Sequence, residues 1–346
     1  MSANWFMYSI NYKSVITAGA VLAVGALSLG TAHAALPDPW YHNVVNYDGD
    51  APGDFSYDEA SGVMTVVGCG ADIWGTSDSF YFAYTAQDPL EDFDYFMKVN
   101  DFDGGADGWM KAGIMVRETQ YELFDDIGNI NGYHTGGGDR YFCVQTQKRT
   151  DSSNTRWITQ WRPEEGMAVD DEISKRMGTV TWPQWLRARR IGNMFHALVS
   201  SDGENWENIY SVDSDDPSWG GMPMGSISGY PLAVGVFVTS HNADSNDSTL
   251  KAQDFQRFPQ TPVELVNGIQ GGEISAGTSY KFQAKFSGYN PFEYVWKKDG
   301  QVIAQGTELF GNSFSYKVEV AQLSDSGTYT LEVSNTANGI TTTRTT

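Results

Sequence analysis

The chain has 346 residues, of which 40% are hydrophobic, so it is long enough to bury the cores of two domains. It carries 43 acidic and 22 basic residues, which gives a formal net charge of −21 at pH 7. A surface with this excess of negative charge repels phosphate backbones and anionic lipid, so we expect no nucleic-acid partner and no docking on acidic membranes.

Residues 1–34 have the pattern of a secretory signal peptide. Lys13, the one charged residue among them, precedes an apolar run over 15–29, and the segment ends in Ala32-His33-Ala34, an A-x-A cleavage pattern. The run is shorter than the roughly 20 residues that a membrane-spanning helix needs. We therefore expect cleavage, a secreted or cell-surface location, and no membrane insertion of the mature chain.

The remaining chain predicts an all-β protein. Short segments rich in Val, Tyr, Phe, Trp and Thr are separated by Gly, Asp and Asn, and no window shows sustained helical spacing of apolar residues. The stretch RFPQTPVELVNG (257–268) has two prolines within four residues, which disfavours a continuous element there. We expect one β-sandwich over about 36–258 and a second over 259–346.

The stretch DIWGTSDSFYFAY (72–84) predicts a turn followed by a strand. Alternation places Phe80, Phe82 and Tyr84 on one face of that strand and Tyr81 and Ala83 on the other. Its two aspartates are six residues apart, a poor layout for an acid/base pair. We expect Asp78 to pair with a cation such as Arg117, whereas the role of Trp74 stays open.

Two later strands place cations beside tryptophans. WMKAGIMVRE (109–118) and WLRAR (185–189) each alternate between an apolar face, which we expect in the core, and a mixed face. The mixed faces carry Trp109, Lys111 and Arg117 on the first strand, and Trp185 and Arg187 on the second.

Two hypotheses account for these mixed faces. In the first, with Trp74, they form a ligand-binding surface, because tryptophan rings stack on sugar rings and cations donate to hydroxyl or carboxylate oxygens. In the second, Lys111 and Arg117 pair with carboxylates such as Asp72, Asp78 or Glu118 on neighbouring strands. The second fits Arg117 better, since a cation in mid-sheet needs a partner; for the tryptophans both stay open.

The two cysteines and one acidic segment each allow two interpretations. Cys69 and Cys143 either form a disulfide in an oxidising compartment or are two buried thiols. The loop-like segment NDFDGGADGW (100–109) offers Asp101, Asp103 and Asp107 around glycines. It is either a calcium-binding loop, which makes calcium the one cofactor to consider, or a polar hairpin loop.

Catalytic patterns are weak. The paired-carboxylate spacings of sandwich glycosidases, the G-x-S-x-G elbow and H-E-x-x-H are missing from the sequence. PLEDFDYF (89–96) brings Glu91, Asp92 and Asp94 together, and we interpret it as a charged turn. We therefore predict no catalytic residues and a protein that is not an enzyme.

Six blocks in order resemble a bacterial secreted concanavalin A-like (laminin G-like) family of unknown function. The blocks are GADIWGTSDSFYFAY (70–84), WMKAGIMVRE (109–118), WLRARRIGN (185–193), SSDGENW (200–206), AVGVFVTSHN (233–242) and DFQRF (254–258). The resemblance implies a two-sheet jelly-roll sandwich, and related folds bind sugars or proteins and sometimes calcium. The acidic insert RPEEGMAVDDEISKRMG (162–178) departs from the family pattern.

The C-terminal segments YKFQAKFSGYNPFEYVWKKDGQVI and LSDSGTYTLEVSNTANG resemble I-set immunoglobulin domains. The resemblance implies a buried Trp296 and a corner hydrogen bond from Tyr329. Ala284 and Leu331 stand where the family has its disulfide, and an apolar pair of this kind can fill the same volume. Such modules space, adhere or assemble.

We interpret the chain as a secreted, non-catalytic binding or adhesion protein that recognises extracellular glycan, or a protein, through the first sandwich. The alternative is a structural subunit of a cell surface or matrix that self-associates. A polysaccharide-active hydrolase is the second alternative.

Overall fold

The computed structural model describes residues 40–45, 53–104, 108–119, 137–148, 155–170, 174–177, 180–216, 224 and 231–346. The predicted signal peptide and Asp107 lie outside the described residues. Within them, no helix is long and apolar enough to cross a membrane.

The prediction of an all-β chain is confirmed. The first sandwich comprises β1 (Tyr41–Val45), β2 (Asp54–Asp58), β3 (Val63–Gly68), β4 (Asp72–Trp74), β5 (Ser77–Gln87), β6 (Phe93–Gly104), β7 (Lys111–Arg117), β8 (Tyr141–Gln147), β9 (Arg156–Arg162), β10 (Ser174–Met177), β11 (Gln184–Ile191), β12 (Met194–Ser200), β13 (Glu207–Asp213), β14 (Leu232–Thr239) and β15 (Ser248–Arg257).

These strands form two antiparallel sheets. Sheet A has the order β1-β5-β14-β7-β8-β9-β10, with β4 paired to β5 as its eighth strand. Sheet B has the order β13-β12-β11-β6-β15-β3-β2. Strands distant in sequence are neighbours in both sheets, which is the jelly-roll arrangement that the sequence resemblance implied.

The main core lies between the two sheets. It contains Ile114 and Val116 from β7 and Leu186 and Ala188 from β11, each completely buried. The predicted alternation of both strands is confirmed, because these residues are the apolar faces that period-two patterning assigns to the interior. The other face of each sheet points away from this core, and we call these the outer faces of sheets A and B.

The outer face of sheet A is itself covered. Phe80, Phe82 and Tyr84 form a second buried cluster there, together with Ile73 from β4 and Val169 from the acidic insert. Gly75 and Val169 pair through both backbone hydrogen bonds, 3.0 and 2.7 Å long, which fastens the insert over the sheet. The predicted alternation of the 72–84 stretch is confirmed.

The two cysteines are free thiols, so the disulfide alternative is wrong. Cys69 belongs to the core between the sheets, whereas Cys143 belongs to the cluster on the outer face of sheet A. Burial raises the pKa of the Cys69 thiol to about 11 and that of Cys143 to about 12. Both therefore act as small apolar groups rather than as reactive thiolates.

The second sandwich consists of β16 (Glu264–Asn267), β17 (Tyr280–Ser287), β18 (Phe292–Lys298), β19 (Gln301–Glu308), β20 (Ser313–Val318), a short 3₁₀ helix (Leu323–Asp325), β21 (Tyr329–Ala337) and β22 (Ile340–Thr345). Its three-stranded sheet has the order β16-β17-β20 and its four-stranded sheet the order β19-β18-β21-β22.

The interior of the second sandwich matches the immunoglobulin expectation. Trp296 is 1% exposed and packs in one cluster with Ala284 and Leu331, which fill the position of the family disulfide. Tyr329 donates a hydrogen bond from its hydroxyl to the carbonyl of Asp325, 2.9 Å away, which is the predicted corner contact.

The two sandwiches contact each other at the outer face of sheet B. Arg189 of β11 donates to the carbonyl oxygens of Asn290 (2.6 Å) and Leu309 (3.0 Å) in the second sandwich. The His196 ring of β12 meets the Phe310 ring edge-on, with 4.9 Å between their centroids. This junction fixes which part of sheet B is covered and which part stays accessible.

Candidate functional site

The predicted cations of sheet A are structural. Arg117 is fully buried and donates from Nη1 to Asp78 Oδ2 at 2.8 Å, while Arg162 donates from Nη2 to Asp78 Oδ1 at 2.5 Å. Lys111 is 2% exposed and forms an ion pair with Asp72. The hypothesis of cross-strand ion pairs is confirmed for both cations.

Asp78 lies between two guanidinium groups without access to solvent. Burial raises the pKa of Asp78, and the positive charges of Arg117 and Arg162 oppose that rise. A second carboxylate joins the group, since Asp139 Oδ2 lies 3.9 Å from Arg117 Nε. The cluster compensates its own charge inside the fold, so these side chains have no free face for a ligand.

Arg187 on sheet B is also structural. It is fully buried and donates from Nε and Nη2 to the two oxygens of Asp94, at 2.7 and 2.6 Å. The interpretation of Asp94 as part of a charged turn is wrong, because β6 begins at Phe93 and carries Asp94 inside the sheet. A bidentate, buried pair of this kind positions its neighbours rather than a ligand.

The predicted tryptophans do not share a surface. Trp74 is half-buried, with the Lys111 ammonium 5.3 Å from its ring centroid, and Trp109 is half-buried, with the Arg156 guanidinium at 6.0 Å. Trp74 and Lys111 belong to sheet A, whereas Trp185 lies on β11 of sheet B. A single binding surface built from both mixed faces is therefore excluded.

Trp185 is the centre of a separate polar surface on the outer face of sheet B. It is half-buried and lies opposite Lys98 of β6, whose ammonium is 5.4 Å from the ring centroid. Lys98 in turn lies opposite Gln253 of β15, and Asn100 donates to the Gln253 amide oxygen at 3.0 Å. We call Trp185, Lys98, Asn100 and Gln253 the Trp185 surface.

A tight loop after β12 fixes the Trp185 ring. Gly203 has a positive φ of 75°, and a side chain there would approach Trp185 Nε1 to 2.9 Å. The carboxylate of Asp202 accepts hydrogen bonds from the backbone N–H groups of Glu204 and Asn205, at 2.9 and 2.7 Å. These bonds hold the pKa of Asp202 well below its usual range, so it stays charged and the loop stays formed.

The sequence interpretation singled out Trp185 but missed Lys98, Asn100 and Gln253. Together with Trp185 they come from three strands whose residues are up to 155 positions apart in the chain, and only the register of β6 with β11 and β15 brings them together. Period-two alternation shows which way each side chain points, but it does not show which strands are neighbours.

The proposed calcium loop takes a different form. β6 extends to Gly104, so Asp101 and Asp103 lie on a strand, and Asp103 forms an ion pair with Lys148. No group of three His, Cys, Asp or Glu residues suited to a metal occurs within the described part of the chain. Calcium binding stays a prediction, because Asp107 is not among those residues.

Two buried titratable groups give opposite contributions to the pH dependence of stability. Burial, together with the positive charge of Arg189, lowers the pKa of His196 to about 4. Between pH 4 and 6.5 the unfolded chain therefore binds more protons than the folded protein, and the stability rises with pH. Burial raises the pKa of Asp139 to about 6, and the negative charges of Glu165 and Glu118 add to the rise. Between pH 4 and 6 the folded protein therefore binds more protons than the unfolded chain, and the stability falls with pH.

Single substitutions are expected to separate these contributions. Relative to the unchanged protein, Asp139→Asn should make the unfolding free energy rise more steeply from pH 4.5 to 6, and His196→Asn should make it rise less. The difference is limited to about 1.4 kcal/mol per pH unit for each group. Urea titrations at several pH values measure it, and equal slopes in the two variants would contradict the assignment.

The comparisons with known proteins reach only the second sandwich by sequence. Residues 263–345 match the Immunoglobulin I-set domain family. The second sandwich is thus similar to I-set domains in sequence as well as in its Trp296 core. A search of curated proteins gave no significant match for the chain.

Solved structures resemble the chain weakly. A functionally unknown protein from Saccharomyces cerevisiae is 14% identical, with a TM-score of 0.39, and the match covers 63% of this chain and 95% of that one. The GH43 BlXynB protein from Bacillus licheniformis is 12% identical, with a TM-score of 0.35 and 62% and 39% coverage.

The exoplasmic/lumenal domain of VIP36, in a Ca2+/Man3GlcNAc-bound form, is 12% identical, with a TM-score of 0.32 and 63% and 84% coverage. Scores at this level transfer no function to this chain.

Proposed function

We propose that the protein is a secreted, non-catalytic glycan-binding protein whose ligand lies on the Trp185 surface. The observation that carries the proposal is the half-buried Trp185 ring, held in place by the loop at Gly203 and flanked by Lys98 and two side-chain amides. Secretion rests on the pattern of residues 1–34.

The chemistry of this surface suits a sugar. The C–H face of a pyranose packs on an aromatic ring, while its hydroxyl groups need donors and acceptors around that ring. Asn100 supplies its amide oxygen and Lys98 supplies a cationic donor, whereas the Gln253 amide is engaged with Asn100 and with the carbonyl of Ser61 and holds Asn100 in place. A ring whose position is already fixed loses little conformational entropy when it binds.

Among the described residues, two carboxylates near this surface are already engaged, which supports the non-catalytic part of the proposal. Asp94 is bound by Arg187, and the Asp202 carboxylate is occupied by loop N–H groups. A glycosidase needs two carboxyl groups free to reach either side of the glycosidic bond. Release of new reducing ends from a bound polysaccharide would contradict this part and favour the hydrolase alternative.

Replacing Trp185 with Ala is expected to weaken glycan binding by at least tenfold, or about 1.4 kcal/mol, because the stacking face is lost. A glycan array screens for ligands, and calorimetric titration of the hits compares the variant with the unchanged protein. The matched control is Trp109→Ala, because Trp109 lies beside Arg156 and not on the Trp185 surface. This variant should bind glycan as the unchanged protein does. Array binding that survives Trp185→Ala would refute the proposal.

Self-association is a second candidate, supported by the surface of the second sandwich. Among the described residues, ten large hydrophobic side chains are exposed, and eight of them belong to it: Leu265, Val266, Ile274, Val302, Leu309, Val320, Leu323 and Ile340. Contact between copies of the chain would bury these side chains. Sedimentation velocity over a range of concentrations tests this candidate, and a strict monomer at high concentration argues against it.

A further inference from the structure

A cavity of about 530 Å³ lies between the two sandwiches, within the size range of small-ligand sites. The first sandwich contributes the aromatic side chains Phe96, Trp206 and Phe258 to its lining. The second contributes the apolar residues Val266, Phe286 and Phe310 as well as polar side chains from β17 and from the segment before β20. The cavity therefore has an aromatic wall on the first sandwich and a mixed apolar and polar wall on the second.

The aromatic wall is preorganised. The Phe96 ring meets the rings of Trp206 and Phe258 edge-on, with centroid distances of 6.4 and 5.3 Å. Beneath them lies the buried Arg187 guanidinium, 3.6 Å from the centroid of Phe258 and 5.2 Å from that of Trp206. Because Arg187 is fixed by Asp94, the rings of Phe258 and Trp206 are held from below, and all three rings are held by one another.

The opposite wall carries hydrogen-bonding groups. Lys285, Ser287 and Asn312 line it. Lys285 is half-buried, and within the described part of the chain no ion pair engages it. The junction described above, in which Arg189 binds two carbonyls of the second sandwich, keeps this wall at a fixed place opposite the aromatic rings.

The cavity continues from the Trp185 surface. Gly203, the residue at which a side chain would collide with the Trp185 ring, also lines the cavity. Phe96 and Lys98 are on the same face of β6, two residues apart, so the aromatic wall is the next row of the sheet. A ligand lying on Trp185 can therefore extend into the cavity without leaving the protein surface.

We propose that this cavity binds a further ring of the same glycan and that the glycan is a β-linked glucan. This inference rests on the proposed function. In β-linked glucose all ring substituents are equatorial, so each ring has apolar faces and a rim of hydroxyl groups. The cavity matches that shape, with aromatic rings for a face and Lys285, Ser287 and Asn312 for the rim. The second sandwich is then part of the binding site and more than a spacer.

The test is calorimetric titration of the mature full-length protein with β-1,4- and β-1,3-linked gluco-oligosaccharides of increasing length, from the disaccharide to the hexasaccharide. The unchanged protein should gain at least tenfold in affinity as the chain becomes long enough to reach the cavity. Lys285→Ala and Asn312→Ala should lose most of that gain and bind the shortest ligands normally. Lys281→Ala, an exposed lysine on the same strand, is the control and should keep the gain.

The outcomes separate the two proposals. If oligosaccharides bind through Trp185 but the length dependence is unchanged in Lys285→Ala and Asn312→Ala, the cavity proposal is wrong and the proposed function stands. If other glycans bind through Trp185 and gluco-oligosaccharides do not, the ligand class is wrong. If no glycan of any class binds, both proposals fall.

Discussion

Replacing Asp78 with Asn is expected to destabilise the protein by about 3–5 kcal/mol, because it removes the carboxylate that two buried guanidinium groups share and leaves Asp139, 3.9 Å from Arg117, to balance both of them. Asp78 is fully buried and accepts from both Arg117 and Arg162. The side-chain amide of asparagine has nearly the same shape as the carboxylate, so the substitution leaves no cavity. Lost packing therefore cannot account for the destabilisation. Urea unfolding followed by tryptophan fluorescence measures it.

The control for Asp78→Asn is Asp101→Asn. Asp101 is exposed on β6, and an exposed position of this kind should change the unfolding free energy by less than about 0.5 kcal/mol. If Asp78→Asn changed the unfolding free energy by less than about 1 kcal/mol, other groups would have to balance the charges of the two guanidinium groups. The assignment of this cluster as a required part of sheet A would then be wrong.

Replacing Arg187 with Met is expected to lower the unfolding free energy by a comparable amount, about 3–5 kcal/mol, because Asp94 would remain buried without its bidentate partner. Arg189 remains near, with its Nε 3.3 Å from Asp94 Oδ2, but it is already engaged with the second sandwich. The substitution also removes the support beneath Phe258 and Trp206. Stability and the gain in affinity with oligosaccharide length should therefore fall together.

A double-mutant cycle distinguishes a broken charge pair from lost packing. If the charge pair dominates, Asp94→Asn combined with Arg187→Met should cost clearly less than the sum of the two single substitutions, because neither member of the Arg187–Asp94 pair is then left buried without the other. Additive costs would mean that Arg187 acts mainly through packing against the aromatic rings. Calorimetric or urea unfolding of the four proteins completes the cycle.

Much of the fold could be predicted because its local signals are strong. The alternation of β5 and β7 follows from residue type alone, and the pairing of Asp78 with Arg117 follows from the cost of burying either charge unpaired. In the second sandwich, Trp296 and Tyr329 belong to a motif so specific that the residue types alone predict a buried ring and a corner hydrogen bond.

The candidate site could be predicted only in part, because it depends on strand register. Nothing in the local sequence says that Lys98 lies opposite Trp185, or that Arg187 lies beneath Phe258, a residue 71 positions later. Positive charge beside tryptophan favours a ligand surface at Arg187. The sequence pattern around its carboxylate partner, Asp94, favours a turn, so the sequence does not predict their buried ion pair. Contacts between the sandwiches, such as that of Arg189 with Asn290, have no signature in either segment.

The central claim is that a glycan lies across the Trp185 surface and enters the cavity between the sandwiches. A crystal structure of the mature protein soaked with β-1,4- or β-1,3-linked glucohexaose tests it most directly. We predict density for sugar rings stacked on Trp185 and, further along, between Phe96 and Asn312. Density over Trp74 or Trp109, with the Trp185 surface empty, would contradict the account.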